Sequence, residues 1–267
     1  MNAHAPLPGG STPGGLPLPV LGTVAETYRL LWAYRWEAVR LGLVPVSVSF
    51  LLATIVGVLP EGGIAVAAAL ADLVPLTLFA VNWHRLVLLG PGQAAAGLGV
   101  RWGVRETTFL VRSLMLGFGI GAVMAVPLLA ISAALRSSPV GLPIFGLVIV
   151  AAVFLSLRLS LVFPAIAVDL PYGFAQSWKD TAGGGLRLLA AMLAASAPLW
   201  AALLLFVASA GVSGLAGAAP FAVLFLDRAG GYVVAAAGLT VLSLVFRRRA
   251  GRSADKALAG PPAGAPP

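Results

Sequence analysis

The chain has no cysteine and only two histidines, and each of these absences removes a class of chemistry. Without cysteine there is no disulfide framework, no thiol nucleophile and no thiolate metal site. His4 lies in a stretch rich in proline and glycine, and His84 by itself supplies too few ligands to hold a metal ion. The sequence shows no Ser/His/Asp arrangement and no catalytic carboxylate pair. We therefore expect no metal, no cofactor and no enzymatic activity.

Charge is also scarce, because 10% of the 267 residues are charged, 60% are hydrophobic and the mean hydropathy is +0.99. A soluble domain carries about a quarter charged residues, since its surface must stay hydrated. So few charges cannot cover a surface that faces water. The composition therefore predicts lipid as the main solvent of this chain.

Six apolar stretches have the length of about 20 residues that a helix needs to cross the hydrocarbon core. They lack an alternation of period two, so each can satisfy its backbone polar groups only as a helix. Asp227 and Arg228 interrupt the last stretch, which leaves open a later helix start, after Gly231. The sequence predicts an all-α, polytopic membrane protein with six transmembrane helices and cytoplasmic interfacial helices. The six stretches cover approximately 41–60, 62–82, 113–135, 141–163, 188–210 and 221–246.

The 17 lysines and arginines predict how these helices are oriented. With six spans, fifteen of them fall on the side that holds both termini, and only Arg136 and Arg228 fall on the other side. Basic residues next to membrane spans stay in the cytoplasm. We therefore assign the net charge of +8 to topology rather than to nucleic-acid binding. The prediction is a multi-pass protein of the bacterial inner membrane with cytoplasmic N- and C-termini.

Two tails and two amphipathic segments complete the predicted organisation. Proline and glycine predict a disordered tail over 1–21, and the composition of 251–267 predicts another. The six-helix domain occupies 22–250, with interfacial helices near 23–40 and 92–112. In the first of these helices, Tyr28, Trp32 and Trp36 recur every four residues and share one face. That face lies either at the headgroup level or against the protein's own cytoplasmic side.

The stretch FAVNWHRLVLLG, residues 79–90, interrupts an apolar run with polar residues. Trp83, His84 and Arg85 fall where the second span is predicted to reach the cytoplasmic face, at the depth of the headgroups. Arg101 and Arg105 follow on the segment that leads to the third span. We interpret these five residues as candidate headgroup contacts, with anionic membrane lipids as the expected partners. For the two later arginines, a role in topology alone is the alternative.

Asp72 lies near the middle of the second predicted span, roughly 15 Å from its outer end. An acid at that depth costs several kcal/mol unless it is paired, hydrated or protonated, and such residues often mark an ion or proton path. Arg158, late in the fourth span, is the natural partner to test. It can also snorkel to the headgroups or pair with Asp169 or Asp180. Asp72 and Arg158 form the candidate intramembrane polar site.

Two segments carry a resemblance to a known family. LRLSLVFPAIAVD at 157–169 and SWKDTAGGGLRLLAAML at 177–193 combine an arginine near the end of span four, a proline-alanine exit and a cytoplasmic helix with Ser-Trp. Together with WHRLVLLG, they resemble the membrane domain attached to some glycerophosphodiester phosphodiesterases and related bacterial six-span proteins of unknown activity. The resemblance, over roughly residues 22–250, implies a membrane module without assigned chemistry. Ala182 and the glycines at 183–185 depart from the family pattern, and no soluble barrel for the phosphodiesterase reaction is present.

The sequence thus favours a non-enzymatic integral membrane module that engages lipid or a partner protein. Gly117 and Gly121 have the GxxxG spacing that lets two helices approach closely, either inside one chain or in a homodimer or complex with another membrane protein. The alternative function is a transporter or permease-like protein with a polar path near Asp72.

Overall fold

The architecture is that of a computed structural model, which describes residues 18–59, 62–92, 98–135 and 141–258. All regular structure among these residues is helical, which confirms the all-α prediction. Residues 1–17 and 259–267 of the predicted tails lie outside the described residues, as do 60–61, 93–97 and 136–140. The helices are α1 (Val20–Ala33), α2 (Arg35–Val58), α3 (Gly62–Leu89), α4 (Val104–Leu135), α5 (Gly141–Leu159), α6 (Val162–Ala167), α7 (Phe174–Asp180), α8 (Gly185–Val212), α9 (Leu215–Ala218) and α10 (Pro220–Leu258).

Six segments in the described part of the chain are long and apolar enough to cross a membrane, which confirms the predicted number of spans. The fourth combines α5 and α6, from Pro143 to Ala167. α3 continues to Leu89 instead of ending at 82, because its last turns are buried inside the protein. α10 begins at Pro220, so the alternative start after Gly231 is wrong.

The interfacial segments have different bounds from those predicted. The segment near 23–40 is divided at Tyr34, since α1 ends at Ala33 and Arg35 begins the helix that continues into the first span. In the segment near 92–112, the described residues 98–103 are not helical, and Val104 already begins the third span. At the C-terminal end, residues 251–258 continue α10 rather than starting a tail.

The core lies toward one end of the bundle, where α3 and α10 both approach their C-terminal ends. The other parts of the helices expose large apolar side chains, such as Phe118, Val126 and Leu205. A water-facing surface rarely carries so much apolar area, whereas lipid accepts it. The fully buried side chains of the core include Val81, Leu86, Leu161, Leu188, Val241 and Leu244.

Helix α1 packs across α8 and α10. Thr23 and Thr27 are fully buried, and the Tyr28 hydroxyl donates a hydrogen bond to the backbone oxygen of Ala195 at 2.8 Å. Arg248, near the end of the sixth span, donates to Thr23 Oγ1 at 2.9 Å. Trp32 remains 72% exposed on the other side of α1. The helix therefore packs on the protein through one face and leaves an aromatic face open.

The connection from α3 to α4 returns to α3 through Gly99. Its φ of +67° lies in the left-handed region that favours glycine. The Asn82 amide donates to the Gly99 carbonyl at 2.9 Å. A Cβ at this glycine would lie 2.9 Å from Leu41 Cδ2 and 3.0 Å from Asn82 Nδ2. The close approach explains why a polar residue, Asn82, stands at this position of a predominantly apolar helix.

We expect Gly99→Ala to destabilise the protein more than Gly90→Ala. Both glycines have a positive φ, so alanine introduces backbone strain of about 1 kcal/mol or more at either position. Only the alanine at 99 would also displace neighbours, because a Cβ at Gly90 meets nothing within 4 Å. Thermal unfolding of the two purified variants in detergent measures the difference. Equal melting temperatures would contradict the importance of the contact with Leu41 and Asn82.

Candidate functional site

Trp83 and His84 lie between α3 and α10, and each is 0% exposed. The Trp83 indole Nε1 donates to Thr240 Oγ1 at 2.9 Å, and its ring stacks on Phe79 one turn earlier, with centroids 5.7 Å apart. His84 Nδ1 is 2.7 Å from Ser243 Oγ. The two partners on α10 are three residues apart, so they share one helix face and meet two consecutive residues of α3.

The interpretation of Trp83 and His84 as lipid-headgroup contacts is wrong, because neither side chain reaches the protein surface. The sequence contained one signal for the correct arrangement. Thr240 and Ser243 stand in an apolar run of the sixth span, where buried hydroxyl groups require partners. His84 is buried without an acid beside it, and a charged imidazolium would be costly there. Its role in the structure is to join α3 to α10.

Arg85 and Arg105 turn toward Asp169, which follows α6. Arg85 Nη1 donates to the Ala167 carbonyl at 2.9 Å and lies 3.7 Å from Asp169 Oδ2. Arg105 forms a two-pronged ion pair with the same carboxylate. Asp169 has a φ of 59°, and this conformation directs the chain away from α6. Both arginines thus have partners in the protein, whereas Arg101 is exposed. Contact of Arg85, Arg101 and Arg105 with lipid headgroups stays a prediction.

Arg158 does not lie beside Asp72. Its Nη2 donates to the Trp178 carbonyl at 2.7 Å and its Nε to Thr181 Oγ1 at 3.3 Å, and its guanidinium carbon is 3.5 Å from the centroid of the Trp178 ring. The predicted pairs with Asp72, Asp169 or Asp180 are therefore replaced by a cation–π contact and two hydrogen bonds. A further hydrogen bond runs in the opposite direction, since Ser177 Oγ of α7 donates to the backbone carbonyl of Arg158 at 2.7 Å. These contacts fasten α7 to the end of α5.

Tyr172 contacts the same segment around α7 through Asp180. Its hydroxyl donates to Asp180 Oδ2 at 2.7 Å, and its ring meets the edge of Phe246 with centroids 5.5 Å apart. Burial, reinforced by the hydrogen bond to the carboxylate, raises the pKa of Tyr172 above its ordinary value. The phenol therefore stays a neutral donor at physiological pH.

Asp72 belongs to a hydrogen-bonded group that joins three helices. The Ser49 hydroxyl of α2 donates to Asp72 Oδ1 of α3. Ser49 Oγ also lies 2.9 Å from the hydroxyl of Tyr232, which belongs to α10. Asp72 thus has a partner within the bundle, which lowers the cost of placing an acid at this depth.

A cavity of about 300 Å³ adjoins this group. It begins beside Val56 and Ala65, which lie near the connection between α2 and α3, and reaches inward to Ser49 and Asp72. Arg228 of α10 lines it as well. The distribution of basic residues predicts only that Arg228 lies on the outer side of the membrane and does not indicate that it lines the same cavity as Asp72. Its spacing from Tyr232, four residues along the same helix, is the signal that places both on one face.

A second cavity is an apolar groove of about 450 Å³ between α2 and α10. Arg35 is the charged residue of its lining and stands at the end where α1 and α2 meet. The exposed rings of Trp32 and Trp36 flank this arginine, whose guanidinium carbon lies 4.8 Å and 5.6 Å from their centroids. We call this feature the Arg35 groove. Its apolar walls are formed mainly by Leu31, Ala38, Gly42, Val46, Phe79, Phe225, Ala229 and Val233.

Two further predictions concern metals and helix association. The described residues contain no group of three or more His, Asp and Glu placed to hold a metal ion.

Gly117 and Gly121 are exposed on α4, and a Cβ at either position would meet nothing within 4 Å. Packing among the described residues therefore does not account for the GxxxG spacing, and its use in a homodimer stays a prediction.

Comparison with known proteins gives no relative: no protein-family model, no curated protein and no solved structure matches this chain. The functional argument therefore rests on the two cavities and the side chains around them.

We expect Trp83→Ala to lower the free energy of unfolding by about 3–5 kcal/mol, because it removes a fully buried ring and leaves Thr240 without its donor. Trp200→Ala is the matched control, since Trp200 is 49% exposed on α8. Reversible unfolding in mixed micelles measures both variants. Similar losses for the two would contradict the central position of Trp83.

Proposed function

We propose that the protein is a non-enzymatic integral membrane module that binds an anionic phospholipid in the Arg35 groove. The observation that carries this proposal is the combination of a long apolar groove with one cationic side chain at its end. A phospholipid has the same division, since its acyl chains are apolar and its phosphate is negatively charged. The proposed ligand is an anionic lipid, as predicted from the sequence. The proposed binding site is at Arg35 rather than at Arg85 and Arg105.

The dimensions of the groove suit one acyl chain. The lining of α2 extends from Arg35 to Val46, and α10 contributes residues from Phe225 to Ala236. Eleven helical steps cover about 16 Å, which is roughly half of the ~30 Å hydrocarbon core. A chain of one leaflet therefore matches the length of the groove. The closely packed side chains of Val46, Phe79 and Tyr232 make closer contact with an acyl chain in the groove than neighbouring lipid would.

The end of the groove suits a phosphate. Arg35 Nη1 donates to the Trp32 carbonyl at 2.9 Å, which fixes the guanidinium above the two tryptophan rings. Arginine presents several donors in a planar fork, and tryptophan favours the boundary between headgroups and hydrocarbon. A basic residue near an anionic membrane surface contributes about 1 kcal/mol. The expected preference for anionic over zwitterionic lipid is therefore several-fold.

The predicted orientation of the chain in the membrane also supports binding of an anionic lipid in the Arg35 groove. We propose a location in the bacterial inner membrane with both termini in the cytoplasm, as the distribution of basic residues indicates. In that orientation Arg35, Arg85 and Arg105 lie at the cytoplasmic ends of their helices. The Arg35 groove then opens to the cytoplasmic leaflet, which carries much of the anionic lipid of a cell membrane.

We expect Arg35→Ala to weaken binding of phosphatidylglycerol several-fold relative to wild type, while binding of phosphatidylcholine changes little. Arg40→Ala is the matched control, because Arg40 is exposed on the same helix and is not part of the groove lining. Native mass spectrometry of the full chain, with each lipid added in turn, measures the retained lipid. Ala229→Phe, which fills the groove, is expected to lower the retention of both lipids. Equal losses in the Arg35 and Arg40 variants would contradict a specific site.

The topology can be tested with single cysteines, because the chain has none of its own. Ala175→Cys in α7 and Ser213→Cys next to α9 both introduce an exposed thiol. A membrane-impermeant maleimide added to intact spheroplasts is expected to label position 213 at once and position 175 only after lysis. Labelling in the reverse order would overturn the proposed orientation.

A transporter or permease-like protein is the second candidate, and the cavity that reaches Asp72 favours it. Such a protein needs a polar residue within the membrane that can be approached from one side. Asp72 meets this requirement, because it lines a cavity that begins near the α2–α3 connection. Arg158 has no part in this path, since it fastens α7 instead.

A further inference from the structure

The cavity beside Asp72 has a charge arrangement that indicates what it binds. Its lining includes a carboxylate, Asp72, and a guanidinium, Arg228. Within the described ranges, the ion-pair partner of Arg228 is its neighbour Asp227, at the long distance of 4.0 Å, rather than Asp72. Two opposite charges therefore face one cavity without joining each other.

The protein satisfies neither of the two charges completely. Ser49 donates to Oδ1 of Asp72, and no hydrogen bond from the described residues reaches Oδ2. Nε of Arg228 is buried and has no hydrogen-bond partner in the part of the chain that the structure describes. A charged group inside the membrane costs several kcal/mol unless it is paired or hydrated, so the incomplete pairing of both side chains favours a ligand with complementary charges.

The walls and the size of the cavity limit the ligand further. Ala65, Ala68 and Ala69 on α3 face Ala53 on α2, and their small side chains create the space. Its volume of about 300 Å³ is at the lower limit of small-molecule sites and holds on the order of ten waters. A phospholipid is far too large, whereas a molecule of amino-acid size fits together with some water.

We propose that this cavity binds a small zwitterion of the amino-acid class, with its ammonium group at Asp72 and its carboxylate at Arg228. A simple cation would meet Arg228 and a simple anion would meet Asp72, each a repulsive contact across a medium of low dielectric constant. A zwitterion makes two favourable contacts at once. The Ser49 hydroxyl holds Asp72 in place for the ammonium group, and the Tyr232 hydroxyl lies beside Ser49 Oγ at 2.9 Å.

The cavity is reached from the side of the α2–α3 connection. Val56 lies two residues before the end of α2, and Ala65 lies three residues after the start of α3. From Ala65 to Asp72 the helix rises about 10 Å, so the ligand descends roughly a third of the hydrocarbon core. In the proposed orientation this is the outer side of the membrane. The inference goes beyond lipid binding and does not depend on the Arg35 groove.

The test compares three probes of similar size on the full chain in nanodiscs: L-alanine, its cationic analogue ethylamine and its anionic analogue propionate. A ligand that binds only the folded state raises the melting temperature, and the rise continues as the ligand concentration increases above the Kd. We expect L-alanine to raise it progressively at concentrations up to about 10 mM, and the other two to have little effect at the same concentrations. An equal effect of all three probes, an effect of ethylamine or propionate alone, or no effect of L-alanine would overturn the proposal.

Variants connect the binding to the two charges. Asp72→Asn and Arg228→Gln are each expected to weaken the affinity for L-alanine about tenfold or more. Arg247→Gln is the matched control, because Arg247 is an exposed arginine of the same helix α10 and does not line the cavity. It should bind like wild type, and a similar loss in this variant would overturn the assignment.

A further variant keeps the test valid if removing a charge impairs folding. Ala68→Leu fills the cavity and leaves both charges in place, so we expect it to abolish binding while the protein still elutes as a folded species. Unchanged binding of L-alanine by Ala68→Leu would overturn the site. Arg35→Ala serves as a separate control, since it should weaken lipid retention and leave the response to L-alanine unchanged.

Discussion

Two hydrogen bonds, from Trp83 to Thr240 and between His84 and Ser243, join α3 and α10 in the buried core of the bundle. They matter because the hydrophobic effect does not drive two apolar helices to associate when both are already surrounded by lipid. Close packing and polar contacts then select which faces meet. The other buried contacts of the core surround this pair of helices, and α1, α2 and α8 all pack against α10.

The same rule explains the remaining polar residues of the spans. Ser49 joins α2 to α3 through Asp72 and approaches Tyr232 of α10, so one hydroxyl connects three helices. Arg158 holds α7 against the end of α5 by its contacts with Trp178. Inside a chain dominated by Ala, Leu and Val, these few polar groups carry the specificity of the fold, because apolar side chains can pack in many ways with similar energy.

The two cavities differ in what surrounds them, and this difference separates two kinds of ligand. The Arg35 groove lies on the lipid-facing side of α2 and α10 and is apolar along most of its length. The cavity beside Asp72 lies between α2, α3 and α10 and ends on opposite charges. Tyr232 stands between them, with its ring in the lining of the groove and its hydroxyl beside Ser49. The sites proposed for a lipid and for a small zwitterion therefore have different linings and lie on either side of this tyrosine.

The sequence by itself determined the number of helices long enough to cross a membrane, because length and hydropathy are local properties of the chain. It also located Asp72 as an unusual residue within a span. It could not place Trp83 and His84, since a tryptophan near a span end suits a headgroup boundary as well as a buried contact. Only the tertiary structure decided between the two, because the deciding partners, Thr240 and Ser243, lie more than 150 positions further along the chain.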